Sequence, residues 1–514
     1  MNLGKIKYLL VLLCLIHTSC VEEEDSAETI DTPSKSGYQV ALDAIRQAGP
    51  EVQASLQSAP QVYEFSSRFA ETSSVSYSGQ TFRQVLIDNL KAYIGTLGRG
   101  EFTGSAQDAF DALDSYYTYD LDGPATHGGI NAASLHNISG QGLSGEPLPL
   151  LQGDSYEDIY SGSKQLRDKT AGNDNDLRLG ELKGWRMKEL AGLNLNDVNS
   201  DGNGDTFVEP EDLIDLWFKV IAKNATDGVP FLVKNGSLEQ QKVNAAYLTE
   251  EGLDLNQLIQ KFLHGAVSFS QAAGDYLSTD LGETKGLNGL NIEPTGSKPY
   301  SALEHHWDEA FGYLGASRDF LAYTDEEIAS KRSRDTNGDG SIDIASEKNL
   351  GIAANAAKRD LGSATGIDLT SALMNALVRG RHLISEAPEG YLPVVKAYGV
   401  VVAEHWERTI AATVIHYINK VMSEMDQYGT EDYLFKDHAK YWSELKGYAL
   451  AFQFNPNSSL DKEAFERFHD LVGDLPVLGT AAGSDQAAYK EKLVAARNIL
   501  GDAYKFSDED VQNW

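Results

Sequence analysis

The sequence predicts an all-α fold, on three observations. Apolar residues recur every three to four positions over long stretches, the spacing that gathers them on one face of a helix. Few stretches alternate apolar and polar residues with β-branched side chains, as a half-buried strand would. Proline stands at the edges of the periodic segments rather than inside them. With 514 residues the chain can build a large core, in one domain or as many as three.

From the amino end, residues 1–19 read as an export signal, with Lys5 and Lys7 followed by an apolar run from Leu9 to Ile16. The run is too short for an ordinary bilayer-spanning helix, so removal is expected. Thr18 and Ser19 before Cys20 resemble a lipobox. Cys20 is the expected lipidation site, and more than one acyl chain there gives stable membrane anchoring. The acidic run at 21–25 resembles the surface-export tag of bacterial lipoproteins. The reading is therefore an exported outer-membrane lipoprotein facing the surface or the periplasm. Residues 21–36 are acidic, rich in Ser and Thr and poor in large apolar side chains, which predicts a disordered tether.

The mature domain is expected over 37–505, with 506–514 as a tail. Phe82, Val85, Leu86, Leu90, Tyr93, Ile94 and Leu97 define its first strong helix. Residues 121–153 are rich in Gly, Ser and Asn and are expected to be irregular. Pro210 opens a helix carrying Leu213, Ile214, Trp217, Phe218 and Ile221. Leu255, Leu258, Ile259, Phe262, Leu263, Val267 and Phe269 mark another. A loop at 280–299 is a candidate boundary between two bundles, near residue 280. Long helices follow over 400–421 and 441–452.

The loop leads into Glu304-His305-His306-Trp307-Asp308-Glu309-Ala310-Phe311-Gly312-Tyr313. On a helix, residues three or four apart share a face. Leu303, Trp307, Ala310, Phe311 and Leu314 form the expected core face. His306, Glu309 and Tyr313 lie along its edge, and His305, Asp308 and Glu304 on the wetter side. An imidazole and a carboxylate fixed side by side are two ligands of a transition-metal site, or an acid/base couple. The bland alternative is a buried structural hydrogen bond between His306 and Glu309.

These residues, with the stretches 77–97, 164–172, 405–419 and 441–456, resemble the bacterial lipoprotein family catalogued as domain of unknown function 4856. The resemblance covers about residues 37 to 505. That family is similar in turn to imelysin-type proteins, which are helical and carry a His-x-x-Glu motif, here matched by His306 and Glu309. The resemblance implies an imelysin-like bundle, a part in iron uptake and, as a further alternative, a metallopeptidase. A weak internal echo relates His306-Trp307-Asp308-Glu309 to His405-Trp406-Glu407-Arg408.

Two stretches suggest calcium. Asp335-Thr336-Asn337-Gly338-Asp339-Gly340-Ser341-Ile342-Asp343 matches the start of an EF-hand-like loop, with alternating oxygen ligands, the turn at Gly340 and Ile342 pointing inward. Asp335, Asn337, Asp339, Ser341, Asp343 and Glu347 are the expected ligands, although Glu347 falls one position late. Asp197, Asn199, Asp201 and Asp205 form a weaker second candidate. Both are also readable as acidic, glycine-rich turns.

Composition excludes several classes. The net charge of −33 disfavours nucleic acid and anionic lipid as partners. Of the two cysteines, Cys14 leaves with the signal and Cys20 carries lipid, so no thiolate chemistry or disulfide framework is expected. No His-Glu-x-x-His, Gly-x-Ser-x-Gly, phosphate-cradling loop or dinucleotide fingerprint occurs. His405 and His416 lie about 16 Å apart along one helix, too far to share an ion. The reading is a lipid-anchored metal binder with His306, Glu309 and His405 as ligands and Tyr313 and Asp308 orienting them. Iron is preferred partly through the resemblance and partly because an N/O site selects zinc weakly. An outer-membrane uptake receptor is the expected partner. A calcium-stapled scaffold with no transition-metal role is the alternative.

Overall fold

The periodic stretches fold as helices, and their ends carry the chemistry that starts and stops a helix. The computed structural model describes residues 36–118, 140–153, 165–172, 182–194, 209–235 and 239–514. The export signal, Cys20 and the acidic tether lie outside them. Fifteen α-helices are present among the described residues. These are α1 (Gly37–Arg46), α2 (Pro50–Gln57), α3 (Ser78–Gly95), α4 (Ala106–Thr118), α5 (Pro210–Asp227) and α6 (Leu255–Leu263). Next come α7 (Ala302–Leu314), α8 (Asp325–Ala329), α9 (Gly351–Leu361), α10 (Leu369–Glu386) and α11 (Tyr391–Asp426). The last four are α12 (Phe435–Ala449), α13 (Lys462–Val472), α14 (Gly483–Tyr504) and α15 (Asp508–Asn513).

Pro210 occupies the first turn of α5, as expected, behind a capping box between Glu209 and Asp212. Asp254 caps α6 by accepting from the Gln257 amide at 3.0 Å. The apolar rhythm beyond Leu263 predicts continued α-helix. The chain instead widens at His264 into a π-helix that runs to Tyr276 and is buried along its whole length. Apolar spacing of three to four does not distinguish the two, and π-helical turns are rare enough that nothing local announces one.

The centre of the molecule is α11, 36 residues long and so about 54 Å. Against it pack α1, α9, α10, α12, α14, α15 and the π-helix. Trp217, Trp307, Trp406 and Trp442 are all fully buried, and each large ring contributes heavily to the core. Three two-stranded antiparallel hairpins complete the described residues: β1 (Gly140–Gln141) with β2 (Pro147–Leu148), β3 (Glu189–Leu190) with β4 (Leu193–Asn194), and β5 (Phe231–Asn235) with β6 (Glu239–Val243). β1 and β2 give order to the end of a stretch expected to be irregular.

Two expectations of organisation change. Ser36–Trp514 forms one compact unit, with no division near residue 280. The expected tail at 506–514 is docked: Phe506, Val511 and Trp514 are buried, and the Trp514 indole donates to the Arg359 carbonyl at 2.9 Å. A short polar-looking terminal stretch hides this because its anchors are too few to show a period.

Candidate functional site

Local chemistry fixes the start of α7. The Ser301 hydroxyl accepts from the Glu304 amide at 3.2 Å while the Glu304 carboxylate accepts from the Ser301 amide at 2.8 Å, a reciprocal capping box. Gly315, with φ of 77°, ends the helix. The helix can sit close to its neighbours because of two glycines. A Cβ on Gly312 would lie 2.8 Å from Tyr77, ahead of α3, and one on Gly380 in α10 would lie 2.1 Å from the Trp307 indole. The Trp307 Nε1–H donates to the Leu377 carbonyl at 3.0 Å. Leu303, Trp307, Ala310, Phe311 and Leu314 are fully buried, as the helical wheel predicts.

The wetter face expected for Glu304 and Asp308 is a correction: both are fully buried, as is Arg381 of α10. Arg381 pairs with Asp308 through Nε at 2.8 Å and with Glu304 through Nη1 at 3.2 Å. Its Nη2 donates to Ser74 at 2.7 Å. Asp308 also accepts from the Tyr63 hydroxyl at 2.8 Å and the Ser76 amide at 3.1 Å, and Tyr63 stacks on Phe311 at 3.8 Å. Two carboxylates and one guanidinium, bonded on several sides, meet the conditions under which charge survives burial. Asp308 therefore holds α7 to α10 and to the 63–77 segment, and does not orient His306.

His305, His306 and Glu309 remain on the half-buried edge. The His306 Nδ1 lies 2.7 Å from the Gly286 carbonyl, and the His305 Nδ1 lies 3.1 Å from the Ser76 carbonyl. A carbonyl only accepts, so each Nδ1 carries the hydrogen and each neutral ring keeps its lone pair on Nε2. The His305 Nε2 stands 3.8 Å from a Glu309 carboxylate oxygen. Burial pushes the Glu309 carboxyl up to about 7, opposed first by His306 and then by a Tyr276 hydrogen bond, Lys169 and Arg83. Gln80 of α3 donates to Glu309 at 2.6 Å. Burial lowers the pKa of His305. Tyr313 is fully buried, one step back, stacked on Tyr276 with centroids 6.1 Å apart.

His405 does not join this edge. It lies on α11 with its ring edge against Tyr38 of α1, centroids 5.8 Å apart. Burial and Arg408 push it down to about 4. Among the described residues, no three His, Cys, Asp or Glu side chains are grouped so as to hold a metal ion. His306, Glu309 and His405 are thus not one ligand set. His305 replaces His405 as the second imidazole near Glu309. Its spacing of four from Glu309 is a signal the sequence carries.

The loop at 335–347 has the expected turn, with Gly338 and Gly340 at positive φ of 73° and 85°. Asp335 accepts from the amides of Gly338, Asp339 and Gly340 at 2.7, 3.1 and 2.9 Å. Asp339 accepts from Ser341 and from the Asn337 amide group. Asp343 accepts from Ala345 and Ser346. Glu347 is buried and ties the loop's ends together, accepting from the Thr336 amide at 2.7 Å and the Asp343 amide at 2.9 Å. Ile342 is fully buried and bridges to Leu150. Asp197, Asn199, Asp201 and Asp205 lie outside the described residues, as do His127 and His136.

His438 and His416 fall into packing roles. The His438 Nδ1 lies 3.2 and 3.1 Å from the Tyr428 and Tyr433 hydroxyls. Burial and nearby cations push His416 down to about 3. No helix among the described residues is long and apolar enough to cross a membrane.

No curated protein and no solved structure matches the chain. One family model does, over residues 209–467, a span that holds α5 to α12, the α7 edge, the 335–347 loop and the central helix. That match covers half of the chain, which therefore belongs to the family described as Domain of unknown function (DUF4856).

Proposed function

We propose that this chain is a lipid-anchored envelope protein that binds a transition-metal ion, or a metal complex, at the α7 edge, in the service of metal uptake. Iron is the preferred ion, Cys20 the anchor and an outer-membrane uptake receptor the partner. One observation carries the reading. Two adjacent imidazoles are locked by backbone carbonyls at Nδ1, and the Nε2 of His305 stands 3.8 Å from Glu309, whose charge His306 also feels. A carbonyl behind the ring is the usual support of a metal-bound histidine. The protein supplies its ligands in pairs, so water or the incoming complex would complete the coordination sphere. A metallopeptidase needs three protein ligands on one ion, and His305, His306 and Glu309 are not so grouped.

The test is metal content of the full chain, purified without chelator or affinity metal, beside His306→Ala with Glu309→Ala. Iron or another transition metal near one equivalent, lost in the double variant, supports the reading. An unchanged metal content in that variant, or none in the wild type after loading with ferrous iron, overturns it. A second reading, calcium at 335–347 as a staple, is favoured by the fit of that loop: the three-amide turn around Asp335 and the buried Ile342 bridge.

A further inference from the structure

Away from α7, a cavity of about 470 Å³ opens between α3, α6, α9 and α12. Its volume falls in the range of small-molecule sites, but its lining is polar. Lys91, Lys261, Lys331, Lys348 and Lys358 all line it, and among the described residues Asp88 is its one lining acid. Lys261 and Lys348 are buried, Lys91 half-buried, and Lys331 and Lys358 exposed, which sets the first three deep and the last two at the mouth. In a chain with 43 basic and 76 acidic residues, five ammoniums around one cavity are not the average surface.

Among the described residues the counter-charge is small, and Lys348 has an interaction of its own. Glu444, behind the cavity, stands 3.3 Å from Lys261. Lys91 and Lys261 both donate to the Gln260 side-chain Oε1, at 2.7 and 2.5 Å. The Gln260 amide nitrogen in turn donates to Asp88 at 2.6 Å. Asp254, also near Lys91, is pushed up to about 7 by burial. No side-chain hydrogen bond or ion pair to Lys331 or Lys358 is formed among the described residues. Crowding has its cost: burial and Lys261 push Lys91 down to about 7, and burial and Lys331 push Lys348 down to about 8.

Two of the lining side chains carry unpartnered polar atoms. Asn349 is 4% exposed and lines the cavity, and its side-chain NH₂, a pure donor, has no partner. His264, equally buried at the start of the π-helix, lines it too, with an unpartnered Nδ1. Leu350 and Gly351, at the start of α9, complete that wall, and the helix has no side-chain cap. An uncapped helix start directs amide donors and positive potential outward.

We propose that this cavity binds a small, hydrophilic polyanion through two or more phosphate or carboxylate groups. One group sits against Asn349, the α9 start and the deep lysines, and another bridges Lys331 and Lys358 at the mouth. The excess of ammoniums over carboxylates is then neutralised by the ligand. The inference does not rest on the metal reading, since no residue is shared between the two sites.

The experiment is calorimetric titration of the full chain, free of added metal, with inorganic pyrophosphate and separately with citrate. The comparison is with Lys331→Ser combined with Lys358→Ser, whose exposed positions spare the core. The expected wild-type dissociation constant is below about 1 mM for at least one probe, weakened by about 10-fold or more in the double variant. The probe bound more tightly identifies phosphate or carboxylate as the recognised group. Lys436→Ser with Lys462→Ser, remote and exposed, is expected to bind as wild type does. No heat with either probe overturns the proposal, as does equal weakening by the remote pair.

Discussion

Asp308 and Glu407 are acidic residues in matching places whose surroundings send them different ways. Each follows a buried tryptophan, is itself fully buried and accepts a hydrogen bond from a tyrosine hydroxyl, Tyr63 at 2.8 Å and Tyr504 at 2.7 Å. Asp308 has Arg381 as counter-ion. Glu407 has only neutral donors, among them Asn455 and Ser458, and burial pushes it up from 4.5 to about 8. A carboxyl so raised binds its proton more tightly folded than unfolded. Its contribution is full below pH 4.5 and is lost as pH rises through about 8. Chemical denaturation of the wild type and of Glu407→Gln is expected to show wild-type stability falling relative to the variant across that window, by up to about 1.4 kcal/mol per pH unit. A constant difference between the two would refute a neutral buried Glu407. Helix spacing alone puts His306 and Glu309 on one strip, whereas His305, expected on the wetter side, approaches Glu309 through a spacing of four that was equally readable. The fate of Glu304 and Asp308 was not, because their partner Arg381 is 77 and 73 residues away in sequence. Part of it was within reach: Ser301-x-x-Glu304 is a capping signature.

Among elements, those that bury one periodic face were visible in sequence and those defined by hydrogen-bond pattern were not. α5 and α7 follow from apolar spacing and capping residues, whereas the π-helix does not. The 335–347 loop is intermediate. Its turn, its inward Ile342 and its carboxylates were legible, but the late Glu347, a ligand by its residue type, here also clasps Thr336 and Asp343. Calcium bound there would stabilise the folded chain by mass action. Millimolar calcium is expected to raise the thermal midpoint by about 1 °C, given ~1 kcal/mol of linkage over a unit of this size. Asp335→Asn with Asp339→Asn should erase that rise. A midpoint indifferent to calcium in the wild type would remove the staple.

For the whole molecule, the all-α class was legible because burial of so many periodic faces has no other solution. The single unit was not, since glycine-rich connections look the same within a domain as between domains. The docking of 506–514 also depended on distant partners. Asp510 is fully buried and accepts from the Ser363 hydroxyl at 2.7 Å and the Ala364 amide at 2.8 Å. Against the opposing effect of burial, hydrogen bonds from Thr365, Ser363 and Ser507 hold its carboxyl down at about 2. Asn419 of α11 donates to the Trp514 carbonyl at 2.8 Å. Removing 506–514 exposes buried aromatic surface and unpairs these groups, a loss of roughly 3–5 kcal/mol. Urea denaturation should show the shortened chain unfolding in one transition at lower denaturant. An unchanged midpoint would mean that the docking contributes nothing.

The central helix α11 receives partners from both ends of the described chain, α1 on one side and α14 and α15 on others. Synthesis is vectorial, so α1 emerges long before the helix it packs on, and α15 after it. α1 must wait with its apolar face uncovered until α11 has been made, whereas α3, α4, α5 and α6 pack on one another and can cover their faces earlier. A protein assembled around a late central strut keeps its first helix undocked until that strut exists.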